Sequence, residues 1–248
     1  MIKAIKTFFL ILLFSTVFVS KAYSEESCSD RLNKLTYYGG GIHTLNISDL
    51  NTVLTKSSYK SFPTSLYSIG GGSRSISGKL VTGSDWNVSL ENKNLNTVNG
   101  FNSYISSSAN ILLNAGYIIF SAGDFNVYPI LGGGIGRITM DIVKDGKAPD
   151  FNDSLSKPEK MTSFSSLSLL LDLGIGADYL VKLGKSEPKK GGIVFGLKVG
   201  SMFTVYQTNF QLKGESVPGS PAINNNGFYI KLFAGYTDGI FAALFDMF

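Results

Sequence analysis

The chain has 248 residues and carries 22 Lys and Arg against 18 Asp and Glu, a formal net charge of +4 that is spread along its length and gives no support for a nucleic-acid surface. Its single cysteine, Cys28, excludes an intrachain disulfide and a multi-cysteine metal site. The 28 glycines and 12% aromatic residues, against 16% charged, suit twisted sheet better than a helical enzyme.

The first 24 residues have the layout of a secretory leader. Lys3 and Lys6 precede an apolar run from Phe8 to Val19, and Ala22-Tyr23-Ser24 supplies a small-x-small cleavage site. That run is too short for a transmembrane helix, which needs about 20 residues. The reading is a leader over 1–24, a mature chain from about Glu25, and one domain over 25–248, with no Pro-rich or low-complexity linker to divide it. The residues before Cys28 lack the small-apolar box of a lipidated cysteine, so it reads as an incidental thiol near a terminus.

Strand candidates follow in order. LTYYGGGIHTL (35–45), FPTSLYSIGGGS (62–73) and SGKLVTGSDWNVSL (77–90) are the less regular ones. In NSYISSSANILLNAGY, Ile105, Ala109, Ile111, Leu113, Ala115 and Tyr117 share one face, while Asn102, Tyr104, Ser106, Ser108, Asn110 and Asn114 share the other. A face of uncharged amides and hydroxyls suits a hydrogen-bonded lumen rather than the inside of a soluble core. VYPILGGGIGRITMDIV (127–143) follows, with Pro129 and the Gly132–Gly134 run marking a bulge or bend. LGGGIGR lacks the Gly-Lys-Ser/Thr of a phosphate-binding loop, so its glycines serve close strand approach.

Residues 163–184, SFSSLSLLLDLGIGADYLVKLG, hold Asp172 and Asp178 within a leucine-rich stretch. On a helix the two would fall on opposite sides of any apolar stripe. By twos, Leu167, Leu169, Leu171, Leu173, Ile175, Ala177, Tyr179 and Val181 form one face and the aspartates join the other. The same rule sets Ile193, Phe195, Leu197, Val199, Phe203 and Val205 against Val194, Lys198, Met202, Thr204 and Tyr206 in 191–207. In 227–236 it sets Phe228, Ile230, Leu232, Ala234 and Tyr236 against Tyr229, Lys231 and Phe233.

The segments between these strands alternate in length. Residues 46–61, 91–100, 144–162 and 211–224 are long and polar, whereas those near Arg74–Ile76, Ser121–Asp124 and 184–190 are short. Long loops at one end and short turns at the other are the asymmetry of an outer-membrane barrel. Tyr37, Tyr117, Tyr128, Tyr179 and Tyr236 fall toward the short turns, and Phe62, Phe101, Phe164, Phe203, Phe210 and Phe228 toward the long loops, as two interfacial belts would.

The whole mature chain thereby resembles the small outer-membrane β-barrels of the OmpA/OmpX type. The resemblance implies an all-β, up-and-down transmembrane β-barrel of about eight strands, long loops outside the cell and short turns in the periplasm. It further implies a monomer in contact with outer-membrane lipid, inserted by the barrel-assembly machinery that reads an aromatic last residue, here Phe248. The tail TDGIFAALFDMF (237–248) leaves ten strands as the alternative, through a tight turn at Thr237-Asp238-Gly239.

The lumen-facing polar candidates are Asp172, Asp178, Lys198, Lys231 and Lys79, read first as structural filling and second as a polar conduit. His43, the one histidine, opens a third reading as the base of a lipid-modifying enzyme, but no serine and acid join it by spacing. No catalytic, metal or cofactor site is assigned. The function that follows is structural, adhesive or partner-binding through the outer loops; the alternative is a small passive pore, and a soluble calycin-like binder remains the reading if the apolar face meets a core instead of lipid.

Overall fold

The structure, a computed structural model, describes residues 33–89, 92–98, 100–144, 161–183, 191–212, 214–221, 223 and 225–237. The leader 1–24, Cys28, the tail beyond Thr237 and most of the 144–162 and 184–190 segments lie outside the described residues.

Eight long strands form the unit: β1 (Asn33–Thr44), β2 (Ser65–Ser77), β3 (Leu80–Ser89), β4 (Phe101–Tyr117), β5 (Phe125–Lys144), β6 (Met161–Lys182), β7 (Gly192–Gln207) and β8 (Gly227–Thr237). Each pairs antiparallel with its neighbour in sequence, and β8 pairs back onto β1 from Leu35↔Thr237 to His43↔Tyr229. The ring is closed, so no barrel strand is left with an unpaired edge. Of the eight- and ten-strand readings the structure has the former, because β8 reaches β1 without a further strand between them.

The stagger of the ring can be walked. From Asn33 the pairs run to Ile76, Val81, Gly116, Ile130, Gly174, Gly200 and Tyr229 and return to β1 at His43, ten residues further on. A ten-residue shear over eight strands corresponds to a tilt of about 40° and an interior just wide enough for side chains to fill.

Period-two alternation sets the two faces. On β6, Leu167, Leu173, Ile175 and Tyr179 point outward, between 44% and 57% exposed, while Ser166, Ser168, Leu170, Asp172 and Asp178 are buried. On β8, Phe228, Ile230 and Leu232 point outward, and Tyr229 and Phe233 inward.

Four expectations are corrected here. Ile105, expected on the outward face, is buried, because β4 carries a bulge between Ile105 and Ser107 that reverses the parity of its upper part. Tyr206, expected inward, is exposed, because β7 shifts register opposite Leu169/Leu170. The first short turn lies at Gly78-Lys79 rather than at Arg74–Ile76, since β2 runs on to Ser77. Residues 46–61, read as polar loop, hold the helix α1 (Ser48–Lys56), whose Leu50 and Leu54 are buried. The short spacing of its apolar positions within so many Ser, Thr and Asn residues hides it from a sequence pattern.

The aromatic belts are half of what was expected. Tyr117, Tyr179 and Tyr236 at the short-turn end and Phe203 and Phe228 at the other are exposed, but Tyr37, Tyr128, Phe62 and Phe210 are buried inside. These aromatic residues stand at the expected ends of the strands but divide between the two sides of the wall.

Candidate functional site: the barrel interior and its cap

The interior is layered. At the long-loop end α1 lies across the barrel mouth. Its Leu50 and Leu54 join Leu45, Ile47, Phe62, Leu66, Ile105, Ile138, Met140, Phe210 and Ile223 in one apolar cluster, with Phe164 and Tyr59 packed against it. Asn51 ties the helix to the following chain, its Nδ2 donating to the Phe62 carbonyl at 2.9 Å and its Oδ1 accepting from the Phe62 N–H at 2.8 Å. This end of the barrel is closed by packed side chains rather than by a loop alone.

Beneath the cap lies a layer of paired charge. Lys198 on β7 donates to both oxygens of Asp85 on β3, at 2.9 and 2.7 Å, and to the Tyr37 hydroxyl at 2.8 Å. Tyr37 in turn donates to Asp85, and so does the Asn114 amide. Arg74 on β2 pairs with Asp178 on β6 at 2.9 Å, contacts the Tyr128 hydroxyl, and lies over the rings of Tyr128 and Phe233. Asn126 donates a further 3.2 Å bond to Asp178. Tyr229 donates to Asp172 at 3.2 Å, and the Lys231 ammonium sits 4.9 Å from the Tyr229 ring centroid. Buried charges are costly unless paired. Lys198–Asp85 and Arg74–Asp178 form such pairs across the lumen, whereas Asp172 is held by the Tyr229 hydroxyl and has no ion pair among the described residues.

Glycines make the room. A Cβ at Gly176 would stand 2.4 Å from the Tyr128 ring, and one at Gly196 would stand 2.1 Å from that of Phe233. Two aromatic rings thus lie flat over glycine backbone and fill the cross-section. Two small cavities lie among the charged residues: one of about 20 Å³ beside Lys198, Lys231, Asp85 and Asn87, and one of about 10 Å³ beside Arg74, Asn114 and Tyr128. Each is the size of a single water.

The sequence candidates divide. Asp172, Asp178 and Lys198 are buried in the charge layer and Lys231 lines its larger cavity. Lys79 is exposed on the β2–β3 turn, away from the lumen, because the turn lies at that residue and not before it. His43 is buried, with Nε2 3.4 Å from the Ser89 hydroxyl, and among the described residues no carboxylate hydrogen-bonds to it. The described residues also hold no trio of His, Cys, Asp or Glu side chains suited to a metal.

Sequence reasoning missed Arg74, Asp85 and Tyr37. The turn expected at Arg74–Ile76 hides Arg74, the expected belt hides Tyr37, and Asp85 lies in the most polar strand, where alternation is weak. The available signal was parity: Gly70, Gly72 and Arg74 share one face of β2, and Val81, Gly83, Asp85 and Asn87 one face of β3.

The outward face is the complement of this interior. Along β4 to β8 it presents Ile111, Leu113, Leu131, Ile135, Leu173, Ile175, Phe195, Ile230 and Leu232, each at least 44% exposed. A contiguous apolar girdle around a polar, filled interior is the inverse of a soluble barrel. It is a transmembrane barrel. No described helix is long and apolar enough to cross a membrane, so the crossing is made by strands.

No protein-family model matches the sequence, and no curated protein matches it. Among solved structures it is similar to Ail, the attachment invasion locus protein of Yersinia pestis, with 11% identity over 84% of this chain and 99% of that one and a TM-score of 0.44. It is also similar to a major outer membrane protein of Thermus thermophilus, with 12% identity over 84% and 100% and a TM-score of 0.49. A third is the outer membrane protease OmpT of Escherichia coli, with 8% identity over 86% and 97% and a TM-score of 0.35. The barrel stands on its own strand pairing and needs none of these likenesses.

Proposed function

We propose that this chain is an outer-membrane barrel exported through a cleaved leader at 1–24, and that it serves a structural or interactive role through the surface at its long-loop end. The observation that carries the reading is the filled lumen. Among the described residues an apolar cap, a layer of ion pairs and two rings packed over glycine occupy the lumen, which disfavours the passive-pore alternative. The long-loop end is where a rigid scaffold presents variable surface, and a helix held across the mouth gives that surface a fixed platform. The barrel-assembly machinery is the partner in insertion, and outer-membrane lipid is the solvent of the girdle.

The test combines cell fractionation and planar bilayers. The mature protein should be found in the outer-membrane fraction, migrate faster unboiled than boiled, and give no steady single-channel steps. Recovery as a soluble periplasmic protein would end the membrane reading, and reproducible conductance steps would restore the pore.

A further inference from the structure

The apolar girdle is uneven. On β6 the outward positions from Leu167 to Val181 are Leu, Leu, Leu, Leu, Ile, Ala, Tyr and Val. At about 3.3 Å per residue and a tilt near 40°, that run is about 35 Å tall, enough for a bilayer core of about 30 Å. On β1, β2 and β3 the large exposed apolar residues lie in the upper half, Tyr38 and Ile42, Tyr67 and Ile69, Trp86 and Val88, and of the large apolar residues below them only Leu80, at the foot of β3, shares their outward parity. The outward positions below them also hold Thr36 on β1, Ser73 and Ser75 on β2, and Thr82 and Ser84 on β3.

These hydroxyls form one patch. Register pairs Thr36 with Ser73, Ser73 with Ser84, and Ser75 with Thr82, and the Ser73 and Ser84 hydroxyls lie 3.2 Å apart. Outward parity is secured by the buried neighbours Leu35, Tyr37, Arg74, Val81 and Asp85. The rings of Tyr38 and Trp86 close over Gly71 as an upper rim. Elsewhere on the wall, among the described residues, the comparable depth holds one aliphatic hydroxyl, Ser201.

The stagger gives the depth. Ten residues over eight strands lift a paired row by a little over one residue per step, and Trp86 pairs through Ile111 and Ile135 to Leu169. Trp86 therefore stands level with Leu173, mid-height on the β6 run, and Ser84 and Thr82 stand level with Ile175 and Ala177. On one side of the molecule these levels are clad in hydrocarbon, and on the other in hydroxyl groups, which cost free energy in hydrocarbon unless hydrogen-bonded.

Charge completes the asymmetry. Lys34 at the foot of β1 and Lys79 in the β2–β3 turn are exposed below the patch, and among the described residues neither has an acidic partner. Across the barrel the corresponding cation, Lys182, is paired with Asp124.

We propose that this hydroxyl patch, with Lys34 and Lys79 beneath it, is a docking surface for phospholipid headgroups, which rise along β1–β3 to the level of Ser84 and thin the bilayer there. Glycerol and phosphate oxygens accept hydrogen bonds from the hydroxyls, and the two lysines complement the phosphate charge. Mismatch between the short girdle on this side and the bilayer is relieved by local thinning. The inference rests on the membrane reading above.

Trp86 is the only tryptophan in the chain and borders the patch, so its fluorescence reports the lipid depth at this wall. The full mature protein is folded into vesicles of phosphatidylethanolamine and phosphatidylglycerol in which the acyl chains carry bromine either near the ester or near the methyl end. Quenching should be strongest with bromine near the ester end. The variant Ser73→Leu/Thr82→Val/Ser84→Leu should shift the strongest quenching to bromine near the methyl end, and Lys34→Gln/Lys79→Gln should shift it part of the way. Strongest quenching of the unaltered protein by bromine near the methyl end would overturn the proposal. So would an inserted, heat-modifiable barrel whose Trp86 no bromolipid quenches, since a second copy of the chain would then cover the patch. Failure to float with the vesicles at all would instead sink the membrane reading itself.

Discussion

Asp85 is the residue on which the interior turns. It accepts from Lys198, Tyr37 and Asn114, which stand on three other strands, so it couples β3 to β7, β1 and β4 at one level. Replacing Lys198 with Met leaves a carboxylate buried without its cation and should lower stability by about 3–5 kcal/mol, whereas Lys198→Met with Asp85→Leu should recover much of the loss. Urea unfolding in lipid vesicles measures both; equal losses in the single and double variants would mean that the pair does not carry the coupling. Leu171 and Asp172 make a second contrast one residue apart. Leu171→Arg sets a cation in the girdle and should cost about 2–4 kcal/mol. Asp172→Asn keeps an acceptor for the Tyr229 hydroxyl and should be far milder. A larger loss at Asp172 would show β6 to be inside out. Gly176→Ala should displace the Tyr128 ring and cost about 1–3 kcal/mol by overpacking.

Among the elements, α1 has the least support from its own sequence. Ile47, which precedes it, offers no side-chain cap, and past Lys56 the chain turns through Ser57 to Ser58, which has a φ of 66°. Left-handed backbone costs an L-residue about 1–2 kcal/mol, and glycine removes most of that strain. Ser58→Gly should therefore raise the protection of α1 amides from hydrogen exchange without altering the strands. A loss of protection would mean that Ser58 is held by contacts beyond its backbone. Leu54→Ala removes a side chain that the cap cluster buries and should loosen the helix, at a cost of about 2–4 kcal/mol. The lumen should still not conduct in this variant, because the ion-pair layer lies below the cap. Steady conductance on Leu54→Ala alone would show that the cap, rather than the charge layer, is the seal.

For the whole molecule, alternation every two residues was enough to establish a β-rich chain, the height of most strands and which face of β6, of β8 and of β7 below its register shift meets lipid. Each of these depends on local geometry: a strand turns successive side chains to opposite sides whatever its neighbours are. The sequence also limited the strand number to eight or ten and placed Asp172, Asp178, Lys198 and Lys231 on the polar face. Three things waited for tertiary structure. Closure between β1 and β8 chose eight, because pairing partners distant in sequence leave no local trace. The bulge at Ile105–Ser107 reversed a face that a strict count by twos had assigned, since one extra residue shifts every position beyond it. The partners of the buried charges were set by the ten-residue stagger, which brings Arg74 to Asp178 and Lys198 to Asp85 across the lumen although neither pair is adjacent in the sheet. Strand identity is written residue by residue along the chain, whereas the register of a closed ring belongs to all eight strands at once.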